Sequence, residues 1–198
     1  MDAAVDCILE QGYYRATSNQ IARRAGVSWG VIQYHFGSRE RLLLAVLEDA
    51  TERFSTMVQS ADISAPSVEE RLARYLAALA SYYGEPAYLA GLQVVLNLSH
   101  DPATSEDAAR ALADNARRTN RRLHDLAVQV IGPGGDEALV SLLFHACRGL
   151  AVSHLIARVG PTHAMSARSG GDFDHNATLL VDALTRLVTA AGDAERRR

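Results

Sequence analysis

Apolar positions recur along the chain at helical spacing, and no stretch keeps a two-residue alternation for long, so the pattern predicts helices throughout. Val5, Ile8 and Leu9 share one face of a helix predicted from Ala3 to Gln11, which Gly12 is placed to end. Ile21, Ala22 and Ala25 mark a second, short helix; Gly26 and Val27 interrupt it, and Val31, Ile32 and Phe36 resume the period after Ser28. A hydroxyl at Thr17 or Ser18 can accept from an orphan amide at the start of the second helix, and Ser28 can do so for the third. Gly37 breaks the pattern again, and Ser38 can cap a long helix whose stripe of Leu42, Leu43, Val46, Leu47, Ala50, Phe54 and Met57 reaches about Ser60.

Residues 61–66 read as the first linker, and five helical segments follow. Leu72, Tyr75, Leu76 and Leu79 set the face of Val68 to Tyr83. Pro86 opens a helix to Ser99, where a missing amide costs nothing. Ser105 to Ile131 carries a stripe through Leu112, Ala116, Thr119, Leu123, Leu126 and Val130, stopped by the glycines and proline of 132–135. Asp136 to Val159 and His175 to Ala191 complete the set, separated by a Gly-, Ser- and Pro-containing loop over 160–174 that is expected to be mobile.

Composition changes this picture little: 48% hydrophobic and 22% charged residues in 198 describe an ordinary soluble globular chain. Cys7 and Cys147 lie inside helical patterns without C-x-x-C spacing, which predicts small buried apolar residues and neither disulfide nor zinc. No signal-peptide pattern stands at Met1 and no uncharged apolar run of about 18 residues occurs, so a cytoplasmic protein with no membrane contact is expected. Charge does change the picture. The net charge is −3, yet Arg15, Arg23, Arg24, Arg39 and Arg41 face only Glu40 between residues 15 and 41, a local balance of +4. A basic face of this kind matters more to a nucleic-acid footprint than the total.

Two short helices joined by a glycine-bearing turn, in that basic segment, form the pattern of a helix-turn-helix, whose second helix is shaped for the DNA major groove. The residues that carry it resemble the TetR family of bacterial transcriptional regulators. The matching positions are Gly12, Tyr13, Thr17, Ser18, Ile21, Ala22, Ala25 to Ser28, Gly30, Ile32, His35, Phe36, Ser38, Glu40 and Leu42, which span roughly the first 47 residues. The rest of the chain is similar only in its helical architecture. There are three departures: the chain opens inside what is normally a longer first helix, Arg39 stands where lysine is usual, and Gln33 replaces the usual tyrosine with Tyr34 beside it.

The resemblance implies an all-α protein with a three-helix DNA-binding domain over 1–47 and a larger helical effector-binding and dimerisation domain over 48–198. It makes Ser28 to Phe36 the recognition helix, with Trp29, Gly30, Gln33, Tyr34 and His35 on its exposed face. Trp29 can touch a thymine methyl or pack under the neighbouring helix, and Gln33 can present its amide to an adenine edge. Thr17, Ser18, Tyr34, His35 and Arg39 are phosphate-contact candidates, with Ser28 beside them at the helix start. Tyr13 and Tyr14 are expected to pack in their connection rather than meet DNA.

A homodimer on a palindromic double-stranded operator is implied, with Leu142, Ala146, Leu150, Leu180, Leu184 and Leu187 of the last two helices forming a four-helix interface. A pocket for a small organic effector is implied as well. Its candidates are the polar and aromatic residues within apolar stripes: Tyr75, Tyr82, Tyr88, Gln93, Asn97, Arg117, Asn120, Phe144, His145 and Arg148. A repressor released from its operator by that effector is the leading expectation. The alternative is an activator or architectural DNA-binding protein with no small effector. No Walker, G-x-S-x-G, H-E-x-x-H or G-x-G-x-x-G pattern occurs, so no enzyme, cofactor, catalytic residue or metal site is expected.

Overall fold

Short helices cannot bury their own apolar faces, and the first three of this chain are closed by glycines that adopt a left-handed backbone. In the computed structural model, which describes residues 1–132, 136–159 and 173–195, α1 (Asp2–Gln11) stops at Gly12 with φ 83°. α2 (Ser18–Arg24) gives way to Gly26 at φ 69°, and α3 (Trp29–Phe36) to Gly37 at φ 71°. Side chains with a Cβ rarely adopt this region, so Gly26 and Gly37 fix where the two short helices turn. The other described helices are α4 (Arg39–Ser60), α5 (Val68–Gly84), α6 (Pro86–His100), α7 (Glu106–Ile131), α8 (Glu137–Val159) and α9 (Phe173–Glu195). Every described element is a helix, as expected, with ends within about two residues of those predicted except at α9. There, the helix runs on past the expected Ala191 to Glu195, and Phe173 and Asp174 are helical where the loop was expected to continue; the rest of that loop lies outside the described residues.

Hydroxyl and carboxylate caps start many of these helices. Ser38 Oγ accepts from Arg41 N, Ser67 Oγ from Glu70 N, Ser105 Oγ from Ala108 N and Asp136 Oδ1 from Ala138 N. Each satisfies an amide that the helix itself leaves unpaired.

Packing sorts the chain into two compact units: residues 1–56 with 84–119, and 57–83 with 120–198. In the first, Ile8, Ile21, Ala22, Leu42, Leu43 and Val46 join Ala90, Val94, Leu98 and Leu112 in one buried cluster. The three-helix core expected for α1 to α3 is thus completed by α4, α6 and the start of α7, and α1 packs directly on α6. Polar links tie α4 to α7 within this unit. Glu40 accepts from the Ser105 amide at 3.0 Å and its hydroxyl at 2.7 Å, Arg118 donates to Glu48 at 2.8 Å, and buried Asn115 donates to the Thr51 hydroxyl.

In the second unit, Leu72, Tyr75, Leu79, Leu123, Leu126 and Leu143 are fully buried, and α9 packs on α8 through Val181, Leu184 and Val188. Arg71 donates to the Val130 carbonyl at 2.7 Å, placing a cation on the end of α7 where the helix dipole favours one. Cys7 and Cys147 are free and buried, as expected. Burial pushes the Cys147 thiol up to about 12, which leaves it protonated and unreactive near neutrality.

Candidate nucleic-acid interface

The helix-turn-helix begins at a capping box. Gln20 N donates to Thr17 Oγ1 at 3.3 Å while Thr17 N donates back to Gln20 Oε1 at 3.1 Å, so two orphan amides are satisfied reciprocally. Thr17, not Ser18, is therefore the cap of α2, and Ser18 is the first helical residue. α2 contributes Ile21 and Ala22 to the core, and Val27 N returns to Ala22 O at 3.0 Å to shape the turn.

α3 is held by fewer side chains than its sequence suggested. Ile32 is buried and Phe36 packs partly against the core, but Val31, expected inside, is exposed. An eight-residue helix anchored by two side chains presents most of its circumference to solvent. Trp29 is 52% exposed and Tyr34 is 86% exposed, and Gly30 and His35 lie on the exposed surface as well. Of the two readings of Trp29, packing under a neighbouring helix is therefore not what the free protein shows. Ser28 occupies the N-cap position of α3 without a side-chain cap bond, leaving its hydroxyl available at the helix N-terminus. Gln33 is less available. Its Nε2 donates to Gly37 O at 2.6 Å, so one of the two amide N–H donors is engaged at the end of its own helix, and its side chain is turned that way.

The arginines divide in the same way. Arg24 reaches back to α1, donating to Glu10 at 2.7 Å and lying 3.2 Å from Asp6. That hydrogen bond holds the Glu10 carboxyl below its ordinary value. Arg39, expected at a phosphate, donates from Nε to Ala16 O at 3.3 Å and from Nη2 to Tyr13 O, with its guanidinium 4.6 Å from the Tyr13 ring centre. Arg24 is exposed but ion-paired, whereas Arg15, Arg23 and Arg41 are exposed and make no ion pair among the described residues, so these three supply the open positive charge of this segment. Tyr13 is buried as expected, but Tyr14 is 77% exposed, a surface aromatic that alternation in so short a connection did not reveal.

The N-terminal residues 1–46 match the family described as "Bacterial regulatory proteins, tetR family". Residues 1–46 are thus TetR-like. Among curated relatives, the HTH-type transcriptional regulator BetI of Klebsiella pneumoniae (strain 342) is 45% identical over 58 residues, which is 29% of this chain and 30% of that protein. The chain thus aligns with less than a third of that relative's length. In fold, a transcriptional regulator from Rhodococcus sp. Rha1 is similar with a TM-score of 0.67 and 21% identity, covering 93% of each chain. FadR from Bacillus subtilis, solved in complex with stearoyl-CoA, is similar with a TM-score of 0.56 and 18% identity, covering 94% of each. These likenesses show a shared helical fold over nearly the whole chain.

The effector candidates are distributed between the units. Tyr88, Gln93, Asn97 and Arg117 belong to the first; Tyr75, Tyr82, Asn120, Phe144, His145 and Arg148 belong to the second. Asn97 is occupied by the Gln93 carbonyl at 2.7 Å, and Arg117 is exposed and pairs with Asp114. In the second unit, Tyr75 is fully buried, with its hydroxyl 3.5 Å from Leu123 O, and burial pushes its pKa up. Arg148 lies over the Phe144 ring at 5.7 Å and its charge acts on Tyr75. An open hollow of about 400 Å³ in the same unit is lined by Ile63, Ser64, Val128, Gln129 and Gly132, none of them expected at an effector site.

The dimer candidates divide too. Leu184 is buried within the chain, Ala146, Leu150 and Leu180 are half-buried, and Leu142 and Leu187 are exposed. Leu179, which was not among the dimer candidates, is 54% exposed. Among the described residues no group of three His, Cys, Asp or Glu could hold a metal ion, and no helix is long and apolar enough to cross a membrane.

Proposed function

We propose that this protein is a sequence-specific DNA-binding transcriptional regulator, a homodimer that reads a palindromic operator and is released from it by a small organic effector. The observation that carries the reading is the surface of α3: a glycine-terminated helix that leaves Trp29, Gly30, Tyr34 and His35 facing solvent, in a motif whose α2 starts at the Thr17 capping box. Large aromatic side chains gain nothing in water, so their exposure on a helix of this motif supports contact with base edges and sugar. Residues 1–47 form the DNA-binding domain in this reading, with Ser28 and Tyr34 at phosphates, and residues 48–198 carry effector binding and dimerisation.

Effector binding is supported by the likeness in fold to FadR, whose structure holds stearoyl-CoA. Within the second unit, the grouping of Tyr75, Phe144 and Arg148 supports an effector contact with aromatic walls and one cation. The test is selection of bound duplexes from a random pool. A two-fold palindrome with half-sites about one helical turn apart is expected; recovery of no preferred sequence rejects the function.

A further inference from the structure

Helix α3 leaves the helix-turn-helix at Gly37, and α4 begins at Arg39. On the other side of the motif, residues 13–16 form the connection that leads into the Thr17 capping box. That connection is a tight turn. Arg15 N and Ala16 N both donate to Gly12 O, at 3.2 and 3.1 Å, and Thr17 N donates to Arg15 O at 2.8 Å. The carbonyls of Tyr13 and Ala16 take no backbone amide among the described residues, although Tyr13 is buried and Ala16 is fully buried. Buried carbonyls of this kind need a donor. Arg39 supplies both bonds, Nε to Ala16 O at 3.3 Å and Nη2 to Tyr13 O, and its guanidinium covers the Tyr13 ring at 4.6 Å.

The planar fork of an arginine can address two carbonyls and an aromatic face at once, whereas the single ammonium of a lysine cannot hold all three in one plane. The two ends of the motif are thereby fastened together. Residues 13–16 precede α2, Arg39 follows α3, and everything that would face DNA lies between them. The aim of α3 relative to the start of α2 depends on that closure, because α3 itself is anchored only by Ile32 and part of Phe36.

We propose that Arg39 is a positioning residue, a clasp that closes the helix-turn-helix and sets the aim of its recognition helix, and is not one of the phosphate contacts. The proposal rests on the DNA-binding reading for its role but not for its geometry. It is tested with the full chain, wild type, Arg39→Lys and Arg39→Met, on a duplex recovered from the random pool. Both variants are expected to bind about five- to tenfold more weakly, with the slope of log affinity against log salt unchanged. Retention of wild-type affinity by Arg39→Lys, or a slope lower by about one unit in Arg39→Met, overturns the clasp in favour of a phosphate contact. A second arm needs no DNA. Amide hydrogen exchange at residues 13–18 is expected to quicken in Arg39→Lys while exchange in α5 holds, and unchanged exchange at 13–18 also overturns it. Failure of the wild type to bind any duplex would reject the DNA-binding reading, and the exchange arm would still decide the clasp.

Discussion

Some single polar side chains in this protein hold one helix to another. Thr51 and Asn115 show this at its simplest: both are buried, Asn115 Nδ2 donates to Thr51 Oγ1, and Thr51 Oγ1 donates to Leu47 O at 2.9 Å. Removing one member of a buried pair strands the other, at roughly 1–3 kcal/mol, whereas replacing both by apolar groups of similar shape is nearly neutral. Thr51→Val and Asn115→Leu are each expected to lower stability in urea denaturation by roughly that amount, and the double variant by much less than the sum. Additive losses would show that the two do not act as a pair. The sequence made neither residue conspicuous, because a threonine and an asparagine in long helices look like surface until the facing helix is known. The same limit applies to Gln33 and Arg24. Their chemistry was legible, but Gly37 O and Glu10 had already claimed it, and only the fold brings those acceptors within reach.

At the level of elements, nearly everything that is local was legible. Glycines at the ends of α1 and α3, Pro86 at the start of α6 and hydroxyls at Thr17 and Ser38 each act within a few residues, so their spacing along the chain is enough to place helix ends. Which helix covers which was not legible, and α6 illustrates why. Its stripe of Ala87, Ala90, Val94 and Leu98 is buried against the N-terminal helices, and Gly91 faces Leu47 and Ala50 of α4. A Cβ built at Gly91 would meet Ala50 Cβ and Leu47 Cδ1, both at 3.4 Å. Gly91→Ala gains about 1 kcal/mol of helix propensity and fills the remaining space, so its net effect on stability is expected to be small. Gly91→Leu has nowhere to go and is expected to cost about 1–3 kcal/mol by prising α6 from α4. Thermal denaturation of the two variants separates these outcomes, and a Gly91→Leu protein as stable as the wild type would show that the crossing is loose.

For the whole molecule, the sequence suggested a division at residue 47, where the motif ends, but packing passes between its two units at 56/57, 83/84 and 119/120. An amphipathic stripe says that a face will be buried without saying by what, so the return of α6 and the start of α7 to the N-terminal unit had no signature in the chain. The same ambiguity governed the last two helices, whose leucines could serve as intramolecular core or as an interface between copies. The structure separates the two uses on α9: Val181, Leu184 and Val188 turn inward, while Leu179 and Leu187 stay exposed, as does Leu142 on α8. Exposed leucines repeated on neighbouring helices are costly in water unless something covers them, and the proposed palindromic reading supplies a second copy as that cover. Leu142→Asp combined with Leu187→Asp is therefore expected to convert a dimer to a monomer in light scattering while leaving the melting temperature of the first unit unchanged. Operator affinity should fall steeply with it, since one recognition helix holds only half of a two-fold site. A wild-type protein that is monomeric at micromolar concentration, or a variant that remains dimeric with full operator affinity, would place the dimer contact elsewhere than on these leucines.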